Sequence, residues 1–153
     1  MAGENCGHIA FRLAGFKVNM RYVLLIAAAI GVAASSLALH ERYRPYGDSP
    51  CNINDHWDCG VVNHSPYAEI HGVPVAAIGI AGYLLLGVLA LRRAYRLMLM
   101  LAVPGLAFAL YLARIEAHVL GVWCLYCVIS LCTISLITVL LAVLVLLRAV
   151  RAA

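Results

Sequence analysis

From Gly121 to Leu147 the chain runs for 27 residues without a charged side chain. As a helix at about 1.5 Å per residue this stretch is roughly 40 Å long, more than the ~30 Å hydrocarbon core of a bilayer. A chain of 153 residues cannot enclose so much apolar surface in a soluble core. With 65% hydrophobic residues, 12% charged and a mean hydropathy of +0.95, the whole chain reads as membrane-embedded.

Three further apolar runs precede this one: Tyr22–Leu39, Val73–Leu91 and Leu97–Ala113. The first is too long for the apolar region of a signal peptide and is followed by others, so it is read as a helix. The expected fold is an all-α membrane protein, a four-transmembrane-helix bundle forming a single domain over 1–153. Its helices are expected at about 20–40, 73–92, 96–114 and 119–147, with a loop over 41–72. Within that loop NHSPYAEIHGVP is expected to hold a short helix, and Trp57 and Tyr67 to lie at the membrane interface. Pro74 suits a first helical turn, whereas Pro104 should bend the third run. Gly79, Gly82, Gly87, Gly105 and Ala109 permit close helix approach.

The net charge of +4 is spread over the ends of the apolar runs, an arrangement that speaks for topology rather than for nucleic acid binding. Four spans put Arg12, Lys17, Arg21, Arg92, Arg93, Arg96, Arg148 and Arg151 on one side, with Glu4 as the only acid. Arg42, Arg44 and Arg114 fall on the other, with Glu41, Asp48, Asp55, Asp58, Glu69 and Glu116. Eight basic residues against three place both termini in the cytoplasm and the 41–72 loop outside.

Six cysteines are many for this length. Cys6 precedes the first run and is read as a reduced cytoplasmic thiol, and Cys132 as a small apolar side chain. The other four form two pairs, CNINDHWDC (Cys51, Cys59) and CLYC (Cys124, Cys127), which the charge pattern puts on the same side. C-x-x-C is a recurrent spacing for thiol–disulfide exchange, and cysteines three apart on a helix share a face. A relay between a wet loop pair and a half-buried helical pair accounts for all four as catalytic residues. Blander readings stay open: a structural loop staple at Cys51–Cys59, packing roles for Cys124 and Cys127, or half of a metal site. Zinc is disfavoured by the spacing, so no metal is expected.

A dithiol at the lipid boundary has a natural two-electron acceptor in a lipid-soluble quinone, ubiquinone or menaquinone. Its pocket needs apolar walls with a few hydrogen-bond donors. Candidates are Asn63, Ser65, Tyr67, Tyr83 and Tyr111, together with Tyr126 and Cys127. The glycines of GIAGYLLLG lie inside an apolar run with no strand before them, which excludes a dinucleotide-binding fingerprint.

The loop pair C-x7-C, the segment CGVVNHSPYAEIHGVPVAAIG that follows it and the late WCLYC together resemble the vitamin K epoxide reductase family in its bacterial form, over about residues 20 to 147. The resemblance implies a four-helix bundle around a quinone, capped by the loop. It further implies that Cys51 exchanges with a soluble thiol partner, Cys59 passes electrons to Cys124, and Cys127 faces the quinone. Ser65 is implied beside the quinone or the loop, and Gly72, Pro74 and Gly79 in the structural core. Leu131 departs from the tyrosine that animal members carry four positions after the last cysteine. Many bacterial members continue into a thioredoxin-like domain. This chain stops at Ala153, so the expected partner is a separate periplasmic thioredoxin-fold protein, DsbA-like, and the expected location a bacterial inner membrane. The expected activity is quinone-dependent thiol oxidation supporting disulfide bond formation. Thiol-driven reduction of quinone or vitamin K epoxide is the alternative, and a non-catalytic membrane protein a third reading.

Overall fold

The computed structural model describes residues 19–45 and 49–152, with side chains to residue 150. Glu4, Cys6, Arg12, Lys17, Asp48 and the side chain of Arg151 lie outside the described residues. Helix α1 spans Met20–Arg42. A loop then leads to α2, Cys59–His64, and a single 3-10 turn, Pro66–Ala68. Strands β1 (Glu69–Ile70) and β2 (Val73–Pro74) pair antiparallel, Glu69 opposite Pro74, with His71 and Gly72 at positive φ in the turn. Helix α3 covers Val75–Leu91 and α4 covers Tyr95–Ile115. A π-helical turn, Glu116–Leu120, ends at left-handed Gly121, and α5 runs Leu125–Ala152.

Two expectations are corrected here. Among the described residues three helical stretches, not four, are long and apolar enough to cross a membrane: Met20–Arg42, Tyr95–Leu120 and Leu125–Val150. The second run loses its first two residues and ends where expected, at Leu91. Val73 and Pro74 are taken by the hairpin, and a reversal at Arg93 stops α3 after 17 residues. In that reversal Arg93 N–H donates to Ala90 O and Ala94 N–H to Leu89 O, a Schellman arrangement with arginine in the left-handed position. The short helix expected over NHSPYAEIHGVP does not form. That stretch closes α2, passes through the 3-10 turn and becomes the hairpin. Pro66 lacks the N–H an extended helix would need, and the positive φ at His71 and Gly72 turns the chain back.

The helices pack through a stripe of small residues. On α1 the buried positions are Leu24, Ala27, Ala28, Gly31, Ala34, Ser35, Ala38 and Glu41, a three-and-four spacing that marks one face. Without a hydrophobic drive between helices in lipid, close backbone approach and dispersion do the work. The Tyr83 ring of α3 lies so near Gly31 that a Cβ there would overlap it. At Gly79 a Cβ would stand 2.8 Å from Ser35 Oγ. Tyr83 also ties α3 to α5: its hydroxyl donates to Ser130 O at 2.8 Å and pairs with Ser130 Oγ at 2.9 Å. Leu24, Met98, Ile137 and Leu141 fill the shared core. Along α5 the hydroxyls of Thr133, Ser135 and Thr138 each donate back to the carbonyl four residues earlier, so no apolar wall is asked to solvate them. Pro104 is exposed, and α4 stays helical through it.

Candidate active site

The loop between Cys51 and Cys59 is a tight reversal. Trp57 N–H donates to Asn54 O at 3.0 Å and Ile53 N–H to Trp57 O at 3.2 Å. The reversal brings the cysteine Cα atoms to 5.6 Å, and the two sulfurs form a disulfide. Asp58 caps α2 by accepting Val61 N–H at 2.9 Å, which fixes Cys59 as the first helical residue. Two further backbone bonds fasten this turn to the segment ahead of α5. Trp123 N–H donates to His56 O at 2.8 Å, and Asp58 N–H donates to Trp123 O at 3.1 Å. Trp57 and Trp123 therefore stand side by side as in a parallel ladder. One residue beyond each anchored strand end, Cys59 meets Cys124 with sulfurs 3.4 Å apart.

Cys124 is not on the helix itself. It precedes α5, and its carbonyl accepts Val128 N–H at 3.0 Å. Its side chain is fully buried. Three groups hold it. Asn63 Nδ2 approaches its sulfur at 3.6 Å, Glu116 Oε2 accepts its N–H at 3.1 Å, and the Cys127 thiol is hydrogen-bonded to its sulfur. That last bond draws the Cys124 thiol below its ordinary range, against the opposing effects of burial and the Glu116 carboxylate. Cys127 in turn lies within hydrogen-bonding reach of Glu116. Cys124 and Cys127 are both free thiols, as is Cys132, which is exposed on α5.

Beyond Cys127 opens a cavity of about 300 Å³, at the lower end of the size range of small-molecule sites. Its walls are mainly apolar, with Leu86, Phe108, Leu112, Leu131 and Ile134 among them. Of the residues expected to hold a quinone, Asn63, Ser65, Tyr67, Tyr83, Tyr126 and Cys127 all line it. Tyr111 lies outside the lining and is 58% exposed.

Counting donors sorts the rest. Tyr83 spends its hydroxyl hydrogen on Ser130, and Ser65 donates to Val62 O at 2.8 Å. Asn63 gives one amide hydrogen to Cys59 O at 2.8 Å and keeps the second only loosely on Cys124 Sγ. Among the described residues the hydroxyls of Tyr67 and Tyr126 on this wall make no hydrogen bond within the protein, so an apolar wall with two uncommitted donors is compatible with a ring bearing carbonyl acceptors.

Two site residues were invisible to sequence reading. Glu116 counted there only as one acid on the outer side. Arg42 counted as one basic residue, yet its guanidinium donates to Asn63 O at 2.8 Å and pairs with the Glu69 carboxylate. Neither carries a spacing motif, because each acts through partners more than seven residues away.

A search of curated proteins finds no match to the chain. The clustered cysteines support thiol-redox activity on a multi-pass membrane protein. The family model described as vitamin K epoxide reductase family matches residues 22–145, and the chain belongs to that family.

Proposed function

We propose that the protein is a quinone-dependent thiol oxidoreductase that recharges a thioredoxin-fold partner outside the cytoplasm. What carries this reading is the sulfur line: a disulfide at Cys51–Cys59, a thiol 3.4 Å away at Cys124, and its neighbour Cys127 on the wall of an apolar cavity. The partner's dithiol reduces the loop disulfide through Cys51. Cys59 then exchanges with an oxidised Cys124–Cys127 pair by way of a Cys59–Cys124 bridge, which Cys51 resolves. The reformed dithiol at Cys124 and Cys127 delivers two electrons and two protons to quinone. Asn63 steadies Cys59 and Cys124 together, Ser65 closes α2 beneath the loop, and Tyr67, Tyr83 and Tyr126 shape the cavity.

Direction follows from the couples. Each ~30 mV of difference in a two-electron exchange is worth about 1.4 kcal/mol, and quinones are strong enough acceptors to pull thiols forward. The loop end of the bundle faces the periplasm in this reading, with the arginines of the opposite end in the cytoplasm.

Purified protein given a reduced thioredoxin-fold oxidase and a short-chain ubiquinone should consume thiols and form quinol together. Cys127→Ser should abolish quinol formation. A Cys127→Ser protein with full quinone-dependent turnover would end the proposal. The single variant Cys51→Ala should accumulate Cys59 bridged to Cys124, because the Cys59 thiolate opens the oxidised Cys124–Cys127 pair, frees the Cys127 thiol and finds no Cys51 to resolve the bridge; mass spectrometry after acid quenching reads it.

A further inference from the structure

We propose that Glu116 is the proton acceptor of the Cys124–Cys127 dithiol, taking the Cys127 proton as that pair is oxidised. The inference rests on the function proposed above and names a residue that function does not yet include. Glu116 is 3% exposed, lies on the cavity wall, and touches both cysteines of the pair. Its Oε2 accepts Cys124 N–H at 3.1 Å, and its carboxyl lies within reach of the Cys127 thiol on the same cavity wall. Among the described residues no cation pairs with it.

A purely structural role would be to satisfy the Cys124 N–H. A neutral amide would do that equally well, without the cost of burying an ionisable group away from any opposite charge. The local backbone also departs from regular helix to set the carboxyl there. Glu116 opens the π-helical turn, which Gly121 closes at φ 68°. Such turns are rare and recur at functional sites.

The step balances as follows. One S–S bond forms between Cys124 and Cys127, and two S–H bonds break. Two electrons pass to the quinone, which becomes quinol. The Cys127 proton moves to the Glu116 carboxylate and from there to one quinone oxygen. The Cys124 proton then crosses the sulfur–sulfur hydrogen bond and leaves by the same carboxylate to the second oxygen. Glu116 finishes as it began.

The test separates the two halves of the cycle in the full-length protein in lipid nanodiscs. The Cys124–Cys127 dithiol is mixed with a short-chain ubiquinone and quinol is followed over a single turnover. In parallel, Cys59–Cys124 bridging is timed in the Cys51→Ala background, starting from the oxidised Cys124–Cys127 pair. Glu116→Gln should slow quinol formation by about 10²- to 10⁴-fold, the usual range for a lost acid–base group, and alter bridging, where no proton has to reach quinone, by far less. Glu116→Asp should recover a large part of the rate. Quinol formation at the wild-type rate in Glu116→Gln overturns the inference. If the glutamine variant loses both half-reactions, acetate added to Glu116→Ala decides: acceleration of quinol formation supports the role, and no acceleration overturns it. A wild-type dithiol that yields no quinol would instead remove the function on which the inference stands.

Discussion

Cys124 meets a sulfur, an amide and a thiol within one turn of chain, and its ionisation is set by the last of these. The hydrogen bond from Cys127 favours the Cys124 thiolate, whereas burial and the Glu116 charge oppose it. Removing the donor with Cys127→Ala takes away the largest influence favouring the thiolate and leaves only the backbone N–H groups of residues 126 and 127 against burial and the Glu116 charge. The Cys124 thiol should then ionise at higher pH than in wild type, so less thiolate is present at any pH below that midpoint. Thiolate ultraviolet absorbance, with Cys124→Ser as the blank, measures the shift; an unmoved or lowered midpoint would contradict it. At this scale the cysteines were legible in the sequence because C-x-x-C states its chemistry in its spacing. Asn63, Tyr67 and Tyr83 could be named as polar groups near the dithiol. Which hydrogens are committed depended on Cys59 for Asn63 and on the distant Ser130 for Tyr83, bonds that residue type alone does not assign.

Helices α1 and α3 meet where Gly31 receives the Tyr83 ring, and this seat has no room for a methyl group. Gly31→Ala should therefore destabilise the protein by about 1–3 kcal/mol through overpacking. Gly82→Ala, where nothing stands within 4 Å of the added carbon, should leave stability unchanged or raise it slightly. Thermal unfolding of both variants in one detergent checks the contrast; equal midpoints would count against it. The glycines of α3 could be picked out from the sequence as sites of close approach, yet Gly31 on the facing helix passed unnoticed among alanines. Hydropathy located the apolar runs because lipid demands long uncharged stretches. It could not find the hairpin at Glu69–Pro74, since two-residue strands leave no alternation to detect, and so it overstated the second run. It also placed Cys124 inside a helix that in fact begins one residue later.

On the scale of the whole molecule, the sulfur chemistry and a cluster of unbalanced positive charge lie at opposite ends. The sulfur cluster sits with α2 and the hairpin, while Arg93, Arg96 and Arg148 gather around Tyr95, the Arg148 guanidinium 4.7 Å from that ring. If the arginine end is cytoplasmic, an impermeant thiol reagent should label Ile53→Cys, at an exposed position of the loop, from outside intact cells, and a reporter joined after Ala153 should work only inside. Labelling of that position solely in broken cells would reverse the orientation. The three long helical stretches stand beside α3, whose 17 residues make a rod of about 25 Å. Ile78, Leu84, Leu85, Val88 and Leu91 of that rod are exposed. Lipid that meets this flank finds no helix of full crossing length to match, a mismatch worth fractions of a kcal/mol per ångström. The melting point should therefore rise as reconstitution lipids are shortened, and a midpoint that falls would show that acyl chains do not adjust to α3.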